Sequence, residues 1–404
     1  MDRDTADRLL AAMVGGGEGV SDLLFLEGKP PLVDIYGRLH PFAIDTPSSL
    51  STPELIAGLC KHIMGDNERL IREFETTGSC DCSYTVESVA RFRVNIFRQN
   101  SRRAIVMRKL PSGVPTLEEL GLPPIFREIA NEQNGIVLIA GAAGTGKTTT
   151  LAALVNELNR TKEVHILTLE DPIEFLHQQG RAAISQRELG TDFRNFAEGL
   201  RVALRQAPKA ILVGEIRDRE TMEIAMTASE TGHVVFSTLH TVNAGQTINR
   251  VIGFFAREEE EQIRQRLAQT LRFVVSQRLV SKVAGGRLLI TEVLGNNLRT
   301  RETIVYGESE GKTFYDIIEA ASTRGWHTFD QRLLQAREAD IISDETVLAY
   351  CTNKSRTTQE LDRLRRRRGA AEPQAASGLK LDIVAPIRVP DPVDGAGARA
   401  KSGV

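Results

Sequence analysis

The octapeptide GAAGTGKT, Gly141 to Thr148, directly follows the apolar run IVLIA and precedes the helix-favouring stretch TTTLAALVNEL. Strand, glycine-rich turn and helix in that order are the setting of a phosphate-binding loop. The glycines let the main chain wrap an anion without Cβ clashes, so backbone N–H groups and the helix N-terminus face it. Gly141, Ala142, Ala143, Gly144, Thr145, Gly146, Thr148 and Thr149 are the expected cradle. Lys147 is placed to reach β- and γ-phosphates and the Thr148 hydroxyl to ligate Mg²⁺, so the chain is read as binding ATP or GTP.

At 404 residues, a prior of ~150 per domain suggests two or three domains. Lys and Arg number 51 against 53 Asp and Glu, so charge gives no argument for nucleic acid or an anionic membrane. The four cysteines, Cys60, Cys80, Cys82 and Cys351, include no Cys-x2-Cys pair, which points to free thiols in a reducing, cytosolic setting without structural zinc. No apolar run approaches the ~18 residues of a membrane span, and the charged first residues do not suit a signal peptide.

Three zones divide the chain. Residues 1–109 are expected to form a small α+β domain, with one helical pattern from Pro53 to Phe74 and strand-like runs such as FRVNIF and AIVMRKL. The proline- and glycine-rich stretch 110–124 reads as a linker. Over 125–355, short β-rich runs alternate with helical patterns, the signature of a mostly parallel sheet wrapped by helices, giving an α/β chain overall. Within this zone Ile263, Leu267, Leu271, Val275 and Leu279 form a four-step apolar stripe, read as one buried helix face. Residues 365–404, rich in Pro, Gly and Ala, are expected to be a disordered tail, with the run Arg365 to Arg368 a solvated helix end before it.

Polar landmarks each follow a predicted strand: Lys147 after IVLIA, Glu170 and Asp171 after HILTL, Glu215 after AILVG, and His240 after VVFSTL. Ligands of open parallel sheets bind beyond the carboxyl ends of the strands, so these groups should converge on one crevice. Phosphoryl transfer to water needs such a constellation: a phosphate cradle, a metal and a carboxylate that orients the attacking water. Glu215 is the candidate carboxylate, and Thr148, Asp171 and Glu215 are the candidate metal ligands. His233 and His240 are an odd number of residues apart, so on one straight strand they point to opposite faces and cannot share a metal. His240 is expected to sense the γ-phosphate and His233 to position the strand's amino end.

These motifs resemble those of the type II and type IV secretion ATPases. ILTLEDPIEFLH is similar to their Asp box, ILVGEIRDRET to their Walker B segment and TGHVVFSTLHT to their His box. The flanking SDLLF, RFRVN and QRELGTD resemble the PilT-like, pilus-retraction branch of that family. The resemblance implies a PAS-like N-terminal domain followed by a RecA-like P-loop ATPase domain, closing around ATP and Mg²⁺ at subunit boundaries of a homohexamer. It also implies Arg93 and Arg108 as arginines that reach the phosphates, Glu170 and Glu174 as Asp-box residues, Glu215 as the Walker B glutamate, and His233 and His240 as the His-box pair, with Glu174 and His233 among the nucleotide-binding residues. The partners it implies are an inner-membrane pilus platform protein and a sister pilus ATPase, with the motor peripheral to the cytoplasmic face of the membrane. Nucleic acid is not an expected partner.

Two segments depart from the family pattern. Before Walker B, an acidic stretch is replaced by Gln206, Ala207, Pro208 and Lys209, and a retraction-linked helix motif is replaced by TIVYGESEGK, Thr303 to Lys312. An assembly or secretion ATPase, and a non-hydrolysing adaptor that works with a sister motor, therefore stand as alternatives.

Overall fold

The computed structural model describes residues 2–44 and 50–367. Its first part is a six-stranded antiparallel sheet built from β1 (Val20–Leu26), β2 (Leu32–Ile35), β3 (Arg38–Pro41), β4 (Ser79–Val86), β5 (Ala90–Gln99) and β6 (Arg102–Lys109), in the order β3-β2-β1-β6-β5-β4. Three helices accompany it: α1 (Arg3–Val14), α2 (Pro53–Met64) and α3 (Glu68–Thr77). The pattern expected as one helix from Pro53 to Phe74 is two, because Gly65 turns to φ +53° and Asn67 caps a new helix by accepting from Arg69 and Leu70 N–H. In β5 the alternation divides the strand: Phe92, Val94 and Ile96 enter the core of this sheet, leaving Arg91, Arg93 and Asn95 on the other face. Arg93 lies directly opposite Arg108 of β6 and Ser83 of β4.

The second part is a seven-stranded sheet of β7 (Gly135–Ala140), β8 (His165–Glu170), β9 (Ala183–Glu188), β10 (Ala210–Val213), β11 (Val234–Leu239), β12 (Leu271–Ser281) and β13 (Arg287–Gly295). The order is β13-β12-β7-β11-β10-β8-β9, with β13 antiparallel to β12 and every other pairing parallel. Strands β7, β10 and β11 are buried along their whole length, as continuous apolar runs covered on both faces should be. Around the sheet run α4 (Ile125–Ala130), α5 (Lys147–Thr161), α6 (Phe196–Ala203), α7 (Arg219–Glu230), α8 (Ala244–Ile252) and α9 (Glu260–Thr270). The remaining helices, α10 (Leu298–Tyr306), α11 (Phe314–Ala320), α12 (Phe329–Glu338), α13 (Asp344–Tyr350) and α14 (Lys354–Arg367), follow β13. A separate apolar cluster, including Val280, Ile290, Phe329, Leu333 and Leu361, joins the last of these to the β12–β13 hairpin.

Between the sheets, residues 110–124 are fastened to the second part by Leu117 in its core and by the Pro115 carbonyl, which accepts from Asn156 Nδ2 at 3.1 Å.

The stripe from Ile263 to Leu279 is not one helix. Helix α9 stops at Thr270 and β12 begins at Leu271. The run LRFVVSQRLV is rich in β-branched and aromatic residues, and it pairs with both β7 and β13. The expected tail also starts too early, since Arg365 to Arg367 belong to α14. There Arg365 is paired with Asp344 and Asp362, which makes it part of a surface ion-pair network rather than a free basic patch. The rest of that tail, from 368 onward, lies outside the described residues. All four cysteines are unpaired thiols.

Candidate active site

The carboxyl ends of β7, β11, β10 and β8 lie side by side in the sheet. The turn after β7 is the glycine-rich loop. A Cβ on Gly141 would stand 2.5 Å from Thr145 Oγ1 and 2.9 Å from the Gln277 carbonyl, so only glycine lets the loop close there. Gly144 and Gly146 hold φ at +76° and +88°. Helix α5 then starts at Lys147 behind Gly146, without any side chain capping its first N–H groups. Those free donors and the helix dipole make its N-terminus the anion-binding end.

Lys147 is buried. Its ammonium donates to the carbonyls of Gly141 at 2.9 Å and Ala142 at 3.1 Å and lies 3.3 Å from His240 Nδ1. An ammonium can only donate, so Nδ1 accepts and the imidazole proton sits on Nε2, which lies 3.3 Å from Glu215 Oε1. The other Glu215 oxygen accepts from Arg217 Nε at 2.8 Å. Burial pulls the lysine below its ordinary pKa, while the Glu215 charge acts to raise it. Three expected residues from three adjacent strand ends thus form one polar line, Lys147–His240–Glu215.

Glu174 provides the link to the first sheet. It lies near Thr148 at the start of α5 and within electrostatic reach of Arg93 and Arg108. Burial raises its pKa, and Arg93, Thr148 and Arg108 oppose that rise. Arg93 and Arg108 therefore face the loop's edge through Glu174, although Arg108 is mostly exposed and is already paired with Asp22 at 2.9 Å. The other basic residues of this region look elsewhere: Arg98 and Arg103 stack over Phe74, and Arg102 approaches Glu27 at 3.5 Å.

Three expectations need correction. His233 sits at the amino end of β11, bonded to the Ala228 carbonyl at 3.0 Å and Thr231 Oγ1 at 3.2 Å. A strand of that length spans roughly 20 Å, so His233 and the cradle occupy opposite edges of the sheet. Asp171 is shared with the first sheet. It lines a cavity between the sheets with Arg93 and Glu188, where burial raises its pKa against the pull of Arg93 and Arg217. Glu170 points to its own surroundings, accepting from Thr168 Oγ1 at 2.6 Å and Gln186 Nε2 at 3.1 Å, and its burial raises its pKa. The altered tetrapeptide Gln206–Lys209 also lies at the amino edge, where Lys209 Nζ donates to the Gly232 carbonyl at 3.0 Å.

Sequence reasoning missed the residues that clamp the two sheets together. Glu188, at the end of β9, accepts from Arg91 Nη2 at 2.6 Å, Ser83 Oγ at 2.7 Å and the Ile173 N–H at 3.2 Å. Arg91 also donates to the Ile173 carbonyl, and both partners are almost fully buried. Beside them Arg69 Nε donates to the Gly190 carbonyl at 3.1 Å, lying where a Cβ on Gly190 would fall. The alternation of β5, which puts Arg91 on the face of Arg93, was the one available signal.

Known proteins share this arrangement. The family described as type II/IV secretion system protein matches residues 77–286, more than half of the chain. The chain belongs to that family. Among curated members, a type IV pilus retractation ATPase, PilT, of Pseudomonas aeruginosa is 40% identical over 332 residues, covering 81% of this chain and 93% of that protein. A type IV pilus ATPase, PilU, of the same organism is 36% identical over 345 residues, covering 85% and 88%. The crystal structure of the pilus retraction motor PilT with bound ADP superposes with a TM-score of 0.77 at 35% identity, covering 88% of this chain and 99% of that one. This family member is a nucleotide-binding ATPase of mixed α/β fold, an N-terminal β-sheet part followed by an ATPase part on a largely parallel sheet, as in the PilT structure it resembles. No helix among its described residues is long and apolar enough to cross a membrane.

Proposed function

We propose that this ATPase is a motor that retracts type IV pili, working as a homohexamer at the cytoplasmic face of the inner membrane against a pilus platform protein. The observation that carries the reading is the line Lys147–His240–Glu215 at the strand ends beside the glycine-rich loop. Glu215 orients the attacking water and takes its proton. Lys147 offsets charge on the transferred phosphoryl group, and His240, touching both, reports the state of that group. Thr148 and Glu215 would supply hard oxygen donors of the kind Mg²⁺ needs alongside phosphates and water, and the ion, when bound, would offset charge developing on the phosphoryl oxygens. Arg93 and Arg108 make closure of the N-terminal part depend on the nucleotide, because their charges reach the loop by way of Glu174.

A second reading is favoured by one observation. The altered stretch Thr303 to Lys312 ends α10 at Tyr306, 86% exposed, and continues in a tight turn bridged between Ser309 and Lys312. A paralogue that assists a sister pilus ATPase, as the likeness to PilU suggests, would carry such a change on its surface.

The test is steady-state Mg²⁺-ATP hydrolysis by the full chain beside Glu215→Gln, with native mass on the same samples. The expected result is turnover by a hexamer and a loss of about 10²-fold or more in kcat for the variant, with ATP binding retained. Binding without turnover in the unsubstituted chain would move the reading to the assisting paralogue. Pilus length in a deletion strain separates retraction from extension: long, abundant pili follow loss of a retraction motor, and few or none follow loss of an extension motor.

A further inference from the structure

We propose that Glu292 is a positioning residue for His240, an inference that rests on the role given to His240 above. Glu292 lies in β13, is 3% exposed, and accepts the Ala244 N–H at 3.0 Å. Ala244 opens α8, and the turn from His240 to Ala244 carries the chain from β11 into that helix. Side chains within the turn tie it to itself: Asn243 Oδ1 caps the Gln246 N–H at 2.8 Å, and the buried hydroxyls of Thr241 and Thr247 meet at 2.7 Å. Glu292 is the side-chain tie that arrives from far along the chain, fixing the turn to the sheet 48 residues later.

His240 needs such support. Its side chain is 51% exposed and its two polar contacts are both 3.3 Å, so packing and bonding of the ring hold it loosely. Its reach between Lys147 and Glu215 is set by the backbone that follows β11. A displacement of that backbone by an ångström is the kind that costs turnover while leaving ground-state binding nearly intact. The carboxylate itself is not what the bond requires, because a glutamine oxygen would accept the same N–H.

The experiment measures kcat and KM for ATP in the full chain with Glu292→Ala, Glu292→Gln, Asn243→Ala and His240→Ala. Glu292→Ala should lower kcat about tenfold or more with KM within about twofold, and Glu292→Gln should return kcat to within about twofold of the parent. Asn243→Ala loosens the same turn from the surface and should give a smaller loss, again in kcat alone; it decides the matter if Glu292→Ala does not fold. A slow Glu292→Gln, or full kcat in both Glu292→Ala and Asn243→Ala while His240→Ala is impaired, overturns the proposal and leaves the role of His240 standing. Full kcat in His240→Ala instead removes that role, and the proposal with it.

Discussion

The two edges of the parallel sheet carry similar side chains and treat them in opposite ways. At the amino edge, His233, His165 and Lys209 are each closed onto backbone carbonyls, of Ala228, Gln206 and Gly232 respectively. At the carboxyl edge, Lys147 also donates to the Gly141 and Ala142 carbonyls, but it goes on to His240 and through it to Glu215, while burial holds Lys147, Glu174 and Glu170 away from their ordinary pKa. A histidine or lysine whose partners are only carbonyls and hydroxyls has finished its work once the chain is folded. One that leans on another titratable group can still respond to a ligand, and that difference, rather than residue type, separates structure from chemistry here.

The largest effect that could break this contrast lies at the end of β9. Glu188→Ala leaves the buried Arg91 without its partner, and unfolding of the full chain by urea should show a loss of about 3–5 kcal/mol. Less than about 1 kcal/mol would mean that the clamp is only a solvated contact.

Next come the two histidines. His240→Ala should reduce kcat about 10- to 100-fold with little change in melting temperature. His233→Ala should leave kcat within about twofold and cost about 1 kcal/mol of stability. Exchange of those outcomes in paired kinetic and thermal measurements would invert the assignment of the two edges.

The smallest effect concerns pH. Burial raises Glu170, so its protonated form is the one the fold favours. Its contribution is therefore fully present below the ordinary value of 4.5 and is lost as pH rises through the raised one. Glu170→Gln should remove that loss, flatten the upper part of the stability–pH curve and raise stability at neutral pH by roughly 0.5–2 kcal/mol. A thermal scan across pH in which the two proteins run parallel would show that Glu170 bears no such strain.

The cradle, the four neighbouring strands that end at it and the residues Lys147, Glu215 and His240 were legible because each depends on local order: an apolar run followed at once by a polar residue. The stripe from Ile263 to Leu279 misled because a helix and the strand after it happened to keep apolar residues four apart across the boundary at Thr270. Asp171 and Asp-box neighbours such as Glu170 could not be sorted from sequence, since adjacent residues at a strand end leave in different directions and only the packing of the other sheet decides which meets Arg93. Glu188 and Arg91 are 97 residues apart, and Glu292 and Ala244 are 48 apart. No periodicity spans such separations.

The clamp at Glu188 has a mechanical meaning. It concentrates attachment of the N-terminal sheet into a few short, directional bonds beside the loop that carries Glu174, instead of spreading it over a broad oily seam. A joint of that kind is stiff against small displacements and lets go abruptly once its geometry is exceeded. If the chain is the motor proposed above, work done at the nucleotide edge would reach the neighbouring part of the molecule as a step rather than as gradual creep.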